Sequence, residues 1–395
     1  MPRAKSASRK KSPAKKKKAA TKASGKDNIY INKTGLKALT NYKYSGGGYT
    51  PLDNFLNPFW YKCAEFFPMW FAPNLITFLG LLGGITPYLL YWKYQGADTW
   101  GKQTDETEEW WKWVNIVSAF CLWFYQTMDA ADGKQARRTG SSSPLGQLFD
   151  HGCDALITVF STAQVCSAVR FPEVWHPLAF AFSVQLPFYL AQWEEMHTHE
   201  FRSGIGFLGV TEAQYTVILT NLFVAFYGNN IMHETLFTAP LLGDISLALG
   251  CLYAQLGVGI VFSFSFITNT FAKTKDSTAA FMQIVPVIIL ALFSKLMLAT
   301  PQYENNPRLI MFLVGLVFAY LTSNMIVTSV CKMEFPLRRN FLIVLGIPLV
   351  FRYPELLYPY AAIVVTMYLH FHLHVIDEIC DHLKIKCLTI PYKKK

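Results

Sequence analysis

An all-α, polytopic bundle of about ten transmembrane helices is the fold class this sequence predicts, and two observations carry it. Hydrophobic residues make up 52% of the 395 positions and charged residues only 16%, a balance poor for a water-soluble domain. The apolar residues also gather into runs of about 20, the length a helix needs to cross the hydrocarbon core. In order these runs cover 72–93, 111–128, 148–168, 177–193, 209–228, 245–270, 280–299, 308–331, 339–352 and 357–377. The ninth is short and flanked by Arg338, Arg339 and Arg352, so the count lies between eight and ten. No tandem repeat organises the chain.

Residues 1–35 read as a disordered basic cytoplasmic tail and 36–395 as one membrane-embedded domain. Residues 1–26 hold eleven Lys or Arg and no acid, leaving 25 basic against 26 acidic residues in the remainder. The net charge of +10 therefore belongs to the tail. Rich in Ser, Ala and Lys, the tail lacks the apolar stretch of a signal peptide. A solvated tail is one reading, and adhesion to an anionic leaflet is the other. With no aromatic residue among the lysines, nucleic acid is not an expected partner. The eight cysteines form no Cys-x-x-Cys pair and lie mostly in or beside apolar runs, where cysteine behaves as a small hydrophobe.

Positive-inside bias puts the tail in the cytoplasm. The first span leaves it, the acidic, Trp-ended stretch GADTWGKQTDETEEWWKW follows outside, and the second span returns. The segment after it, DAADGKQARRTGSSSPLGQLFDHGCD, then faces the cytoplasm. Its centre, RRTGSSSPLG, is a turn by composition. Asp129 and Asp132 lie three apart on the helix before the turn, and Asp150 and Asp154 four apart on the helix after it. Each pair occupies one helix face, and a short turn makes the helices antiparallel neighbours. Four bare carboxylates would repel one another, and hard divalent cations with oxygen ligands resolve this. Gly133 would let phosphates approach the backbone, Gly146 would do the same for a flat base, and Arg137 is placed to neutralise a phosphate oxygen.

Asp129-x-x-Asp132-Gly133-x-x-Ala136-Arg137, eight residues, then Gly146-x-x-x-Asp150-x-x-x-Asp154 resembles the full signature of the CDP-alcohol phosphotransferases. The stretches LTNYKYSGGGYTPLDNFLNPFW, APNLITFLGLL, FDHGCDA and VIDEICDHLKIKCLTI resemble the eukaryotic choline/ethanolamine branch, covering roughly residues 36 to 390. That resemblance implies the family's helical fold and transfer of phosphocholine or phosphoethanolamine from CDP-choline or CDP-ethanolamine to diacylglycerol, with release of CMP. It implies two Mg²⁺ or Mn²⁺ ions on the four aspartates, and a nucleotide pocket lined by Gly133, Ala136, Arg137 and Gly146. Asn74, in APNLIT, joins that pocket or caps its helix. His151 is the implied base for the acceptor hydroxyl, with Glu212 orienting it or sharing the role, and Asp154, the fourth aspartate of the signature, is the alternative base that the family resemblance also implies. A structural His and an interfacial Glu reaching water are the plainer readings of those two residues. The resemblance also implies a bilayer partner, an endoplasmic-reticulum or Golgi membrane, a cytoplasm-facing site and the homodimers common in the family.

WEEMHTHE, residues 193–200, reads as a solvated cytoplasmic loop, and His370 with His374 lacks the further ligands of a zinc site. The terminal YKKK matches a dilysine retrieval signal imperfectly. Inositol or glycerol phosphate would be an alternative acceptor, one that calls for extra basic residues near the metals and no lipid-sized apolar cavity.

Overall fold

The computed structural model describes residues 28–42, 48–96, 109–240 and 243–391. The basic segment 1–26, most of the acidic loop after the first span and the terminal lysines lie outside the described residues. Within 28–42, Ile31 is fully buried and α1 (Lys33–Thr40) is capped by Asn32, whose side chain accepts from Gly35 N.

Helix α2 (Pro51–Phe66) opens with a capping box between Thr50 and Asp53. It presents Phe55 and Phe66 outward, 79% and 93% exposed, as befits a helix at a membrane interface. Pro73 starts α3 (Pro73–Gln95), and Gly96 ends it. Helix α4 (Trp110–Thr139) stops at Gly140, whose φ of +66° suits glycine. Ser143 then caps α5 (Pro144–Val169) by accepting from Gly146 N. The turn expected over RRTGSSSPLG is this break, and α4 and α5 flank it as predicted.

Next come α6 (His176–Thr198), a small hairpin of β1 (Gly204–Ile205) and β2 (Leu208–Gly209), and α7 (Val210–Tyr227). A second hairpin, β3 (Thr235–Ala239) with β4 (Gly243–Ser246), leads into α8 (Leu247–Lys273) and α9 (Ser277–Met297). The remaining helices are α10 (Pro301–Asn305), α11 (Pro307–Cys331), α12 (Leu337–Leu345), α13 (Ile347–Arg352) and α14 (Leu357–Leu383).

Among the described residues six helical segments are long and apolar enough to cross a membrane: α3, α5, α8, α9, α11 and the segment Pro354–Leu383 that contains α14. The chain is an integral membrane protein. Helices α4, α6 and α7 occupy three more predicted runs with a larger share of polar side chains. The run 339–352 is not one helix. Gly346 and Pro348 break it into α12 and α13, nine and six residues long and too short to span.

Helix α11 is the hub, with 94% of its apolar window buried, as a helix hydrophobic on all sides requires. It packs on α5 and α6, α3 packs on α4 and α5, α4 on α7, and α6 on α8. Small residues permit the closest approaches. A Cβ on Gly80 would stand 2.9 Å from that of Met128, and one on Gly259 2.5 Å from the Ser183 carbonyl oxygen. Gly259→Val should therefore push α8 off α6 and lower stability by about 1–3 kcal/mol. Thermal denaturation in detergent reads this as a lower midpoint, and an unchanged midpoint would contradict the contact.

Candidate active site

The break between α4 and α5 gathers the acidic residues. One carboxylate oxygen each from Asp129, Asp150 and Asp154 lie within 4.8 Å of one another. Helical spacing is the cause: Asp150 and Asp154 share a face of α5, and Asp129 meets them from α4. Among the described residues this is the one group of three or more His, Cys, Asp or Glu side chains that could hold a metal ion. Asp132 stands apart from that group because its carboxylate accepts the hydroxyl of Thr77 on α3. Asp154 Oδ1 accepts the Tyr125 hydroxyl at 2.6 Å. Among the described residues the buried Oδ1 atoms of Asp129 and Asp150 have no hydrogen-bond partner. Buried carboxylate oxygens without donors are costly, and an all-oxygen set of this kind suits a hard divalent cation. The residues present fit such an ion.

Thr77 and Tyr125 did not emerge from the sequence, although simple spacing points to both. Thr77 lies one turn after Asn74 in APNLIT, and Tyr125 one turn before Asp129.

Asn74 does not cap α3. The cap position is Ala72, and no side-chain bond closes that end. Instead Asn74 is 9% exposed and looks toward α5, its Oδ1 3.7 Å from where a Cβ on Gly146 would stand. The missing side chain of Gly146 leaves a gap between α3 and α5 that the amide borders. On α4, a Cβ on Gly133 would lie 3.6 Å from the Arg137 guanidinium. Arg137 is exposed and makes no hydrogen bond or ion pair among the described residues, while Ala136 beside it is half-buried.

The neighbouring cations are structural. Arg138 donates to the carbonyls of Ala64 and Phe67 at the end of α2, at 3.1 and 2.6 Å. Buried Lys134 donates to Ala130 O at 3.0 Å, and its ammonium stands 5.1 Å from the ring centroids of Trp60 and of Tyr61.

His151 is 4% exposed, with Nδ1 3.3 Å from the Gln192 amide and its ring 4.6 Å from that of Phe201. Both Oε1 and Nε2 of that amide lie 3.3 Å from Nδ1, so Gln192 holds the ring through this nitrogen. Glu212 sits in the first turn of α7, both carboxylate oxygens buried and, among the described residues, without a hydrogen-bond partner. The hairpin before it is held down by Thr211, which donates to Asp53 Oδ1 of α2 at 2.6 Å.

Glu212 and Asp154 both line a cavity of about 390 Å³ enclosed by α5, α6, α7, α8 and the first hairpin. Its wall is mostly apolar, with Ile157, Val184, Val217 and Phe262 among the lining side chains. The acidic cluster thus opens onto a chamber suited to an apolar ligand.

The stretch WEEMHTHE is not the solvated loop expected from its position after a span. Residues 193–198 form the end of α6, and Trp193 and Glu194 are fully buried. Glu194 pairs with Arg202 at 2.5 Å and accepts from Asn269, while Glu195 accepts from Tyr42 and Gln147 at 3.1 and 3.2 Å. Satisfying each carboxylate with a local donor is what allows its burial.

Comparison with known proteins follows the same part of the chain. The family model described as CDP-alcohol phosphatidyltransferase matches residues 70–261, from the approach to α3 into α8. A Dictyostelium discoideum protein named "Uncharacterized CDP-alcohol phosphatidyltransferase class-I family protein 2" is 34% identical over 92% of this chain and 88% of its own. Choline/ethanolaminephosphotransferase 1 of Arabidopsis thaliana is 31% identical over 92% of this chain and 99% of its own. Human cholinephosphotransferase 1 is 30% identical over 87% of this chain and 89% of its own.

Proposed function

The chain belongs to the CDP-alcohol phosphatidyltransferase family, and from that premise we propose that it transfers phosphocholine or phosphoethanolamine from the CDP-alcohol to diacylglycerol. The observation that carries the lipid acceptor is the apolar cavity of about 390 Å³, which shares Asp154 with the acidic cluster and has Glu212 in its wall. A polar acceptor such as inositol or glycerol phosphate would need free basic side chains there. Lys134 and Arg138 are instead engaged by helices α2 and α4, which leaves Arg137 for the diphosphate.

The CDP diphosphate lies over Gly133, where no side chain intervenes, with Arg137 beside it and Ala136 along the same face. The cytidine enters the gap between Asn74 and Gly146. Asp129, Asp150 and Asp154, with Asp132 held by Thr77, would hold two Mg²⁺ or Mn²⁺ ions. Such ions supply charge neutralisation of the diphosphate and of the leaving phosphate. Diacylglycerol occupies the cavity with its hydroxyl toward Asp154 and Glu212. That oxygen forms a bond to the phosphorus bearing the alcohol, the bridging P–O bond breaks, and CMP departs with the bridging oxygen. The proton lost from the hydroxyl passes to one base, His151, with Glu212 orienting it or taking that role in its place. The family and the charge bias of the sequence support a cytoplasm-facing site in the endoplasmic-reticulum membrane.

The test is the purified protein in bilayer nanodiscs with diacylglycerol, Mg²⁺ or Mn²⁺ and each CDP-alcohol. Phospholipid and CMP in equal amounts are expected, and binding of CDP-alcohol with no lipid product would refute the reading. Val217 lines the cavity. Val217→Trp should raise KM for diacylglycerol several-fold and leave KM for CDP-choline unchanged. Equal effects on both would place the acceptor elsewhere.

A further inference from the structure

The C-terminal segment reaches back to the nucleotide end of the site. After α14 the chain turns at Lys384, whose φ is +56°, and brings Cys387 against the start of α3. Asn74 Nδ2 donates to Cys387 Sγ at 3.7 Å across 313 residues of sequence. Asn74 is 9% exposed, and the hydrogen bond its side chain makes among the described residues is this one, from Nδ2. Its Oδ1 points into the gap at Gly146, 3.7 Å from the missing Cβ position, with Ser143 Oγ 3.9 Å from the same point. The amide is thus held at Nδ2, with Oδ1 facing the gap between α3 and α5.

We propose that Cys387 is a positioning residue for the nucleobase: it fixes the Asn74 amide with its carbonyl facing the base slot, and so sets the preference for cytidine over uridine donors. This rests on the nucleotide placement given above. The chemistry is one of matching donors and acceptors. Cytosine carries an exocyclic amine, a donor that Asn74 Oδ1 accepts, whereas uracil presents a carbonyl oxygen at that position. An amide free to rotate could offer either end and would discriminate less. Cys387 removes that freedom by occupying Nδ2. Burial raises the thiol above its usual range, so at neutral pH the sulfur is an uncharged acceptor.

The experiment measures initial rates of the full-length protein in nanodiscs against CDP-choline and UDP-choline. It compares wild type, Cys387→Ala, Cys387→Ser, Asn74→Ala and the Cys387→Ala/Asn74→Ala double variant. Cys387→Ala should raise KM for CDP-choline about three- to tenfold with kcat within about twofold. It should also narrow the CDP-choline to UDP-choline ratio of kcat/KM. A serine hydroxyl also accepts from Nδ2, so Cys387→Ser should recover most of both effects. The double variant should be no worse than Asn74→Ala alone, as coupled neighbours require.

An unchanged KM and ratio in Cys387→Ala, with wild type active, would overturn the inference. So would a fall in kcat without a change in KM in both Cys387 variants, or losses that multiply in the double variant. Wild type inactive with every CDP-alcohol would overturn the phosphotransferase reading itself, and this inference with it.

Discussion

Asp150→Asn lowers turnover with CDP-choline by about a thousandfold or more while the protein still folds and inserts. Asparagine keeps the size of the side chain and removes its charge and one oxygen ligand. At this position the loss falls on Oδ1, which is buried, lacks any donor and lies within 4.8 Å of oxygens from Asp129 and Asp154. An oxygen with no protein partner contributes nothing to folding that the amide must replace, so the substitution should cost activity rather than stability. Neutralisation of a transferring phosphoryl group by bound cations is worth several kcal/mol, and each 1.36 kcal/mol is about tenfold in rate. The check is kcat/KM over a range of Mn²⁺ concentrations, beside a thermal midpoint. The expected result is a deep loss, partly recovered at high Mn²⁺, with the midpoint unchanged or raised because carboxylate repulsion is relieved. Activity within tenfold of wild type would remove Asp150 from the metal-binding set. A collapsed midpoint would mean that the cluster holds the α4–α5 junction together instead.

Most of this site was legible because it is local. Asp129, Asp150 and Asp154 come together through helical spacing on either side of one short turn, and both the turn and the spacing are written in residues 129–154. The helices were legible for the same reason, since length and apolarity are properties of single segments. Run 339–352 shows the limit of that reading. Its composition is apolar, yet one Gly and one Pro at 346 and 348 decide its geometry. The stretch WEEMHTHE shows another limit, because its burial depends on Arg202, Asn269, Tyr42 and Gln147, donors spread over more than 200 residues of sequence. The hydrogen bond between Asn74 and Cys387 joins the two ends of the domain and leaves no local trace. Asp132 combines both cases: its place on the helix was predictable, while its anchor Thr77 comes from the preceding span.

Glu212→Gln and His151→Ala should each cost about 10²–10⁴ in kcat, the range a positioned base contributes, with KM for CDP-choline within a few-fold of wild type. For Glu212 the argument is its surroundings. A carboxylate in the first turn of a membrane helix is expensive, and here both oxygens are buried without a donor while the side chain lines the acceptor cavity. Such a group is retained for what enters the cavity. A hydroxyl approaching Asp154 would pass within its reach, and glutamine could hydrogen-bond that hydroxyl but not take its proton. For His151 the argument is orientation. Gln192 fixes Nδ1 and Phe201 packs on the ring, so the imidazole is held in one pose. Alanine removes both the proton acceptor and the packing, so His151→Gln serves as the companion that keeps the volume. The two variants separate chemistry from structure in one measurement: a lost base lowers kcat at every diacylglycerol concentration, whereas a distorted pocket raises KM for one substrate. Full activity in Glu212→Gln would leave His151 as the base, and full activity in His151→Gln would leave Glu212. Full activity in both would require the proton to leave through an aspartate of the cluster, and Asp154, the member that lines the cavity, would be the next residue to substitute.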